Sequence, residues 1–338
     1  MSCKLASGDM LQRQNIAAIT KDDVTIVIPT LNESEAIGKV IDEVREFGYE
    51  NILVVDGYST DGTVDAAAKK GVRVVSQTGK GKSGALATAV HYVKTHYMLV
   101  MDGDCTYDPA YIDRLTAHAR TYDEVIGARA IGRENIPLLN RLGNHLLSWF
   151  FKILFAVNLT DVCSGMYLIR TEAARKLQFT TAGFDAEVEI AAQFADSGRV
   201  SEVPVNYRPR VGRQKLSSVR HGVTIASSIV RLSNAHNPVT LYSALVALFM
   251  FPAVGLFGWV LYERAYFHIW HAGFAIFALI LMLLSFQSLA VATISLLIKR
   301  SEQRIYGTIR QTFGHPSQNG LYPWNDPRPD VQVRDERE

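Results

Sequence analysis

An α/β domain with a mostly parallel sheet, followed by a two-helix transmembrane hairpin, is the architecture that this 338-residue sequence predicts. Three observations predict it. Short apolar, β-branched runs end repeatedly in acidic or small residues. Helical patterns separate those runs, and strands alternating with helices mean βαβ units and a parallel sheet. Two long uncharged stretches, 239–262 and 272–298, then close the apolar part of the chain, and each exceeds the ~20 residues needed to cross a bilayer.

Residues 1–22 are mixed and polar, without the apolar core of a signal peptide, and read as a flexible extension. Val24-Thr-Ile-Val-Ile-Pro29 is the first buried strand. The loop Thr30-Leu-Asn-Glu-Ser34 supplies capping residue types, so a helix is expected from near Ser34 to Phe47. Asn51–Asp56 is the second strand, and the turn Gly57-Tyr-Ser-Thr-Asp-Gly-Thr63 leads into a helix through Lys70. Val72–Ser76 is the third strand. Gly79-Lys-Gly-Lys-Ser-Gly84 then opens another helix, lacks the spacing of a phosphate-binding P-loop, and places Lys80 and Lys82 in what spacing alone reads as a solvated turn.

The fourth strand, within 97–101, ends in Asp102-Gly-Asp104. Open α/β sheets place ligands at the carboxyl ends of their strands. Two carboxylates there suit Mg²⁺ or Mn²⁺, hard cations that take one or two carboxylates and fill their other positions with phosphate oxygens and water. Acidic loops of this spacing are also common as solvated surface, so the pair needs support from elsewhere in the chain. The absence of G-x-G-x-x-G after the first strand argues against a dinucleotide.

Asp108-Pro109 starts a helix, Glu124–Arg129 is a further strand, and 140–157 is amphipathic and aromatic, fitting a core helix or one lying in the lipid interface. Val200–Tyr207 alternates like an edge strand. Arg208, Arg210, Arg213 and Lys215 follow within eight positions, fitting a solvated face or a lipid-phosphate site. An amphipathic juxtamembrane helix is expected over 217–236, the membrane hairpin over 237–300 and a polar tail over 301–338. Arg231 at the start of the hairpin and Lys299, Arg300 and Arg304 at its end predict that both ends are cytoplasmic, in the cell membrane. The net charge of +2 gives no reason to expect nucleic acid, and the three scattered cysteines fit a reducing compartment.

Several pieces coincide in order: Pro29-Thr-Leu-Asn-Glu33, Asp56-Gly-Tyr-Ser-Thr-Asp-Gly62, Lys82, Asp102-Gly-Asp104, Gly127-Ala-Arg129, Ser164-Gly165 and Arg210-Val-Gly-Arg-Gln-Lys215. Over roughly 23–216 the chain resembles the family 2 glycosyltransferases with a GT-A fold, and among them the polyprenyl (dolichyl) phosphate sugar synthases. The resemblance implies a nucleotide-sugar donor, a polyprenyl or dolichyl phosphate acceptor and a Mg²⁺ or Mn²⁺ cofactor. It implies that Pro29, Thr30, Asn32, Glu33, Asp56, Ser59 and Asp61 line the nucleotide pocket, that Lys82 approaches the nucleotide, and that Asp102, Asp104 and Thr106 hold the metal. Arg129, Ser164, Arg210 and Lys215 would receive the lipid phosphate; Asp185 and Glu187 would hold sugar hydroxyls or cap a helix.

Three departures bear on the sugar. Gly57 stands where mannose synthases usually have a second aspartate, Thr106 where they often have a glutamine metal ligand, and Gln214 where a serine commonly precedes the lysine. The resulting pattern is more similar to archaeal synthases that load glucose or N-acetylglucosamine from UDP-sugars than to those using GDP-mannose. A family 2 enzyme with another acceptor, or a non-catalytic nucleotide-sugar-binding membrane subunit, are the remaining readings.

Overall fold

A computed structural model of the chain describes residues 19–179, 186–195, 199–212 and 218–313. Its centre is strand β1 (Val24–Thr30), whose side chains are buried on both faces apart from Pro29, as expected of a strand in the middle of a covered parallel sheet. Ile26 and Ile28 point to one side and pack with Ile37, Val40, Ile41 and Val44 of helix α1 (Ile37–Glu46). Val27 points to the other and joins the cluster under α3.

The strands β2 (Ile52–Asp56), β3 (Arg73–Ser76), β4 (Tyr97–Val100), β5 (Glu124–Ile131), β6 (Tyr167–Arg170) and β7 (Val200–Asn206) complete one sheet of order β3-β2-β1-β4-β6-β5-β7. β6 runs antiparallel to both neighbours, and the remaining pairs are parallel. Thr30 pairs with Asp56 and Asp56 with Ser76, so the loops after β1, β2 and β3 emerge level on one rim, beside the loop after β4. The alternating segment before Tyr207 is indeed at an edge, as β7.

Helices α2 (Thr63–Ala68), α3 (Gly81–Tyr92), α4 (Ile112–His118), α5 (Leu138–Phe155), α6 (Thr171–Ala174) and α7 (Ala186–Ala195) connect or cover the strands. Helix α1 starts at Ile37, three residues later than Ser34. Its N-cap position is Ala36, without a side-chain cap; the segment before it is held by the neighbouring loop, where Asp61 Oδ2 accepts the Ser34 N–H at 3.1 Å and Thr63 Oγ1 accepts the Glu33 N–H at 2.8 Å.

Helix α5 has two natures. Ser148, Phe151, Leu154 and Phe155 are buried, whereas Leu138, Leu139, Leu142 and Leu146 are each more than half exposed. It packs on α8 (Ser218–His236), and the Asn237 amide donates to the Leu154 carbonyl at 3.3 Å, so its C-terminal end abuts the start of the apolar hairpin. That hairpin is α9 (Pro238–Tyr266) and α10 (Ala272–Phe313), both containing stretches long and apolar enough to cross a membrane. Helix α10 continues to Phe313, past the expected boundary at 300, because nothing in Lys299-Arg-Ser-Glu-Gln-Arg-Ile-Tyr306 interrupts a helix.

Phe151 is fully buried and stacks on Phe155 with ring centroids 4.4 Å apart. Phe151→Ala is expected to destabilise the domain by roughly 3–5 kcal/mol, read as a lowered denaturation midpoint of the purified protein.

Candidate active site

The loop after β4 is held by its own backbone. Met101 N–H donates to the Val27 carbonyl at 3.0 Å, and Gly103 passes so close to β1 that a Cβ there would lie 3.0 Å from Thr30 Cγ2. Asp102 and Asp104 therefore project from a rigid rim. Gly165 backs Asp102: a Cβ at that position would meet Asp102 Oδ2 at 2.0 Å. The Gly165 N–H in turn donates to the Tyr107 hydroxyl at 2.6 Å, which fixes the distance between the two loops.

Each carboxylate carries a cation of the protein. Lys82 Nζ lies 2.6 Å from Asp102 Oδ1 and 2.5 Å from Glu187 Oε1. Lys82 is thus not in a solvated turn: it occupies the first turn of α3 and points into the fold, where the two acids outweigh burial and hold its ammonium group well above the usual lysine range. Burial raises the Glu187 carboxyl, an effect that Lys82 opposes. Arg210 donates to Asp104 Oδ2, and the backbone around it is laced to the same loop, with Arg208 N–H on the Thr106 carbonyl at 2.7 Å and Val211 N–H on the Asp104 carbonyl at 3.0 Å.

Thr106 differs from the expected metal ligand. It is buried, and its hydroxyl donates to Asp104 Oδ1 at 2.5 Å, so it orients a carboxylate instead of offering a lone pair to a cation. Asp102 and Asp104 remain a donor set of hard oxygens that fits Mg²⁺ or Mn²⁺ with phosphate completing the shell. Among the described residues no cluster of three or more metal-binding side chains gathers.

On the donor side, Pro29, Thr30, Glu33 and Gly57 line the cleft. Asp56 is buried; its Oδ2 accepts the Ser59 N–H at 2.9 Å, while its Oδ1 and Thr30 Oγ1 have no hydrogen-bond partner among the described residues. Asn32, Ser59 and Asp61 do something other than line a pocket: they tie the loops after β1 and β2 together. Asn32 N–H donates to Ser59 Oγ, Thr60 N–H to Asn32 Oδ1 (both 2.8 Å), and Asp61 binds Ser34 and Thr63. Asn32 adopts φ 54°, a left-handed conformation that asparagine tolerates.

On the opposite wall, Arg129 lines the cleft as expected of a phosphate-facing residue, whereas Ser164 differs from expectation. Arg129 is clamped by Asp161 through Nε–Oδ2 (2.7 Å) and Nη2–Oδ1 (2.6 Å), a bidentate pair that Asp161 completes by accepting the Arg129 N–H. Burial alone would raise the Asp161 carboxyl, but Arg129 holds it below the usual carboxylate range. Ser164 is buried, and its hydroxyl donates to the Gly127 carbonyl at 2.5 Å. Asp185 and Lys215 lie outside the described residues.

The cleft, of about 770 Å³, extends from Asp102 and Asp104 past Arg129 to the N-terminal half of α5. There it is lined by Arg133, Arg141, Asn144 and His145 together with Leu138, Leu139 and Leu142. Sequence reasoning missed these polar residues. The available signal was Arg141 and His145 four positions apart, on one face of a helix already read as amphipathic.

Comparisons with known proteins agree with this fold. A model of glycosyl transferase family 2 matches residues 25–178. The glycosyltransferase AglJ of Haloferax volcanii is 33% identical over 289 residues, covering 82% of this chain and 94% of that protein. The chain belongs to glycosyl transferase family 2. A second member from the same organism, a dolichyl-phosphate hexose transferase, is 33% identical over 218 residues, 63% of this chain and 95% of that protein. Among solved structures, glucosyl-3-phosphoglycerate synthase from Mycobacterium tuberculosis, in complex with Mn²⁺, UDP-glucose and phosphoglyceric acid, superimposes with a TM-score of 0.52 at 21% identity, over 63% of this chain and 79% of that one. That likeness carries the GT-A fold.

Two outcomes test this site. Gly165→Ala is expected to push Asp102 out of place and weaken Mn²⁺ affinity in the presence of nucleotide by roughly tenfold, about 1.4 kcal/mol, read by titration calorimetry on protein that retains its native circular dichroism. Burial opposes it, but hydrogen bonds from Thr63 and Ser34 lower the Asp61 carboxyl to about 2. A depressed folded value means that its stabilisation is complete above the unfolded value of about 4 and is lost as pH falls toward about 2. The melting temperature should therefore fall less steeply across that window in Asp61→Asn than in the wild type.

Proposed function

We propose that this glycosyltransferase is a membrane-bound, inverting enzyme that moves a hexose from a UDP-linked donor to dolichyl or polyprenyl phosphate. One observation carries the reading: a single cleft joins the paired carboxylates to a cationic and apolar wall on α5, the helix whose other end abuts the apolar hairpin. A lipid phosphate needs both a cationic seat and an apolar path, and few other acceptors need the second.

The chemistry follows from the residues. Asp102 and Asp104 would hold Mg²⁺ or Mn²⁺, which when bound stabilises the charge of the departing diphosphate. Lys82 and Arg210, now paired with those carboxylates, are placed to turn to the diphosphate and the incoming phosphate, respectively. Arg133 and Arg141 supply further guanidinium groups along the cleft. The acceptor is a phosphate monoester, largely ionised at neutral pH with a second pKa near ~6, so it attacks the anomeric carbon without a protein base, and the diphosphate departs from the opposite face. Glu187, beside Lys82, is placed to accept from sugar hydroxyls.

Asp56 does not by itself choose the donor base: each carboxylate oxygen accepts two hydrogen bonds, so beside the Ser59 N–H it has room for a ring N–H of uracil or guanine. The preference for a UDP-linked donor rests on Gly57, Thr106 and Gln214, the departures from the pattern of GDP-mannose synthases. The cations flanking the hairpin argue for both its ends, and the catalytic domain, on the cytoplasmic side. The product, a lipid-linked sugar, would feed glycan assembly or protein N-glycosylation.

The test is transfer by the purified protein to dolichyl phosphate, offering UDP-glucose, UDP-N-acetylglucosamine and GDP-mannose separately, with Mn²⁺ or with EDTA. Label in lipid from a UDP-sugar, abolished by EDTA and by Asp104→Asn, is the expected result. Transfer from GDP-mannose alone would overturn the base assignment, and no transfer to lipid phosphate from any donor would overturn the acceptor.

A further inference from the structure

Helix α10 carries one amide side chain in its apolar stretch, and its own hairpin leaves it unanswered. Ala275, Ala278, Ser285 and Ala292 are buried and form its seam with α9. Three hydroxyls of this stretch have partners within the hairpin: Ser285 donates to the Val246 carbonyl at 3.2 Å, Ser288 to Leu284 at 2.9 Å and Thr293 to Leu289 at 2.9 Å. Gln287 is exposed and makes no hydrogen bond among the described residues. It is fifteen residues from Ala272 and eleven from Ile298, hence roughly 22 Å and 16 Å from the two ends at ~1.5 Å per residue. If α10 spans the bilayer, as the proposed function has it, Gln287 lies near the midplane, where neither water nor a headgroup reaches and an amide without a partner is unfavourable.

The surroundings of Gln287 are patterned. Ile280, Leu283, Gln287, Ala290, Ile294 and Leu297 are all exposed and recur at alternating spacings of three and four. That is the seam pattern of a two-stranded helical pair, with one polar residue at a seam position, the device that sets register in such pairs. The stripe faces away from α9, since Gln287 is two residues, or ~200°, from Ser285.

We propose that α10 pairs in the membrane with α10 of a second copy of this chain, through a hydrogen bond between the two Gln287 amides. A second copy fits because an amide is self-complementary: it offers both N–H donors and a carbonyl acceptor. A two-fold axis along the membrane normal brings identical residues to the same depth. Lipid tails offer no such group.

The experiment reconstitutes the full chain, labelled with donor or acceptor dye, into phosphatidylcholine vesicles at rising lipid-to-protein ratios, and reads energy transfer. Wild-type protein is expected to show transfer above random proximity, and Gln287→Leu to shift the association midpoint by roughly tenfold, in line with intramembrane amide bonds. Under oxidation, Leu283→Cys and Ala290→Cys should cross-link between chains, whereas Leu289→Cys, exposed but off the stripe, should not. No transfer in the wild type, an unchanged midpoint in Gln287→Leu, or cross-linking as fast at 289 as at 283 would overturn the pairing. Vesicles washed in alkaline carbonate separate the two levels. Protein that stays in the membrane yet fails to pair overturns this inference alone; protein that washes off overturns the membrane-spanning reading beneath it as well.

Discussion

Two carboxylates held at the rim of an otherwise apolar sheet are the constraint around which the domain is arranged. Asp104 is almost completely buried, and Asp102 is pressed against backbone. Charges in such places require partners, and a buried charge left alone is strongly destabilising. The fold meets this with Lys82 from α3 and Arg210 from the segment after β7, elements that approach from opposite sides of the rim. Glu187 then binds Lys82 and draws α7 into the same network. The ion pairs around Asp102 and Asp104 are thus also part of what fastens three distant segments to the sheet.

The polar residues around these carboxylates divide into those that face the cleft and those that shape it. Asn32, Ser59 and Asp61 couple two rim loops to each other, Thr106 orients Asp104, and Asp161 clamps Arg129. None of them needs to touch a substrate to matter, because a displaced loop would move Thr30, Glu33 or Asp104 directly. Helix α5 joins this polar rim to the apolar hairpin. Its buried aromatic end anchors in the core, and its exposed leucine-rich end lines the mouth of the cleft.

Much of the chain was legible without coordinates. Strand positions, the mostly parallel sheet, the long apolar helices and the rim position of Asp102 and Asp104 all follow from periodicity and from residue types at strand ends. Less legible was the work of individual polar residues. Ser34 has the right type to cap a helix, yet the helix begins at Ile37 and Asp61 holds the Ser34 N–H in the loop before it. Lys82 sits among glycines like a surface residue, yet it is buried between two acids. Arg141 and His145 were hidden in a helix whose amphipathic pattern suggested core packing or a place in the lipid interface, and not the wall of a cleft.

The sequence by itself determined the order of elements, the paired carboxylates and the two long apolar helices, because these depend on local spacing and composition, and its ordered motifs carried the family resemblance. The tertiary structure alone decided which cation meets which carboxylate, that Ser164 and Thr106 are turned to the protein itself, and that α5 closes one cleft. Arg210 reaches Asp104 across 106 positions, and Arg129 meets Asp161 across 32. Pairings of that separation are set by how strands stack and loops emerge level on one rim, and no period within a short stretch of sequence encodes them.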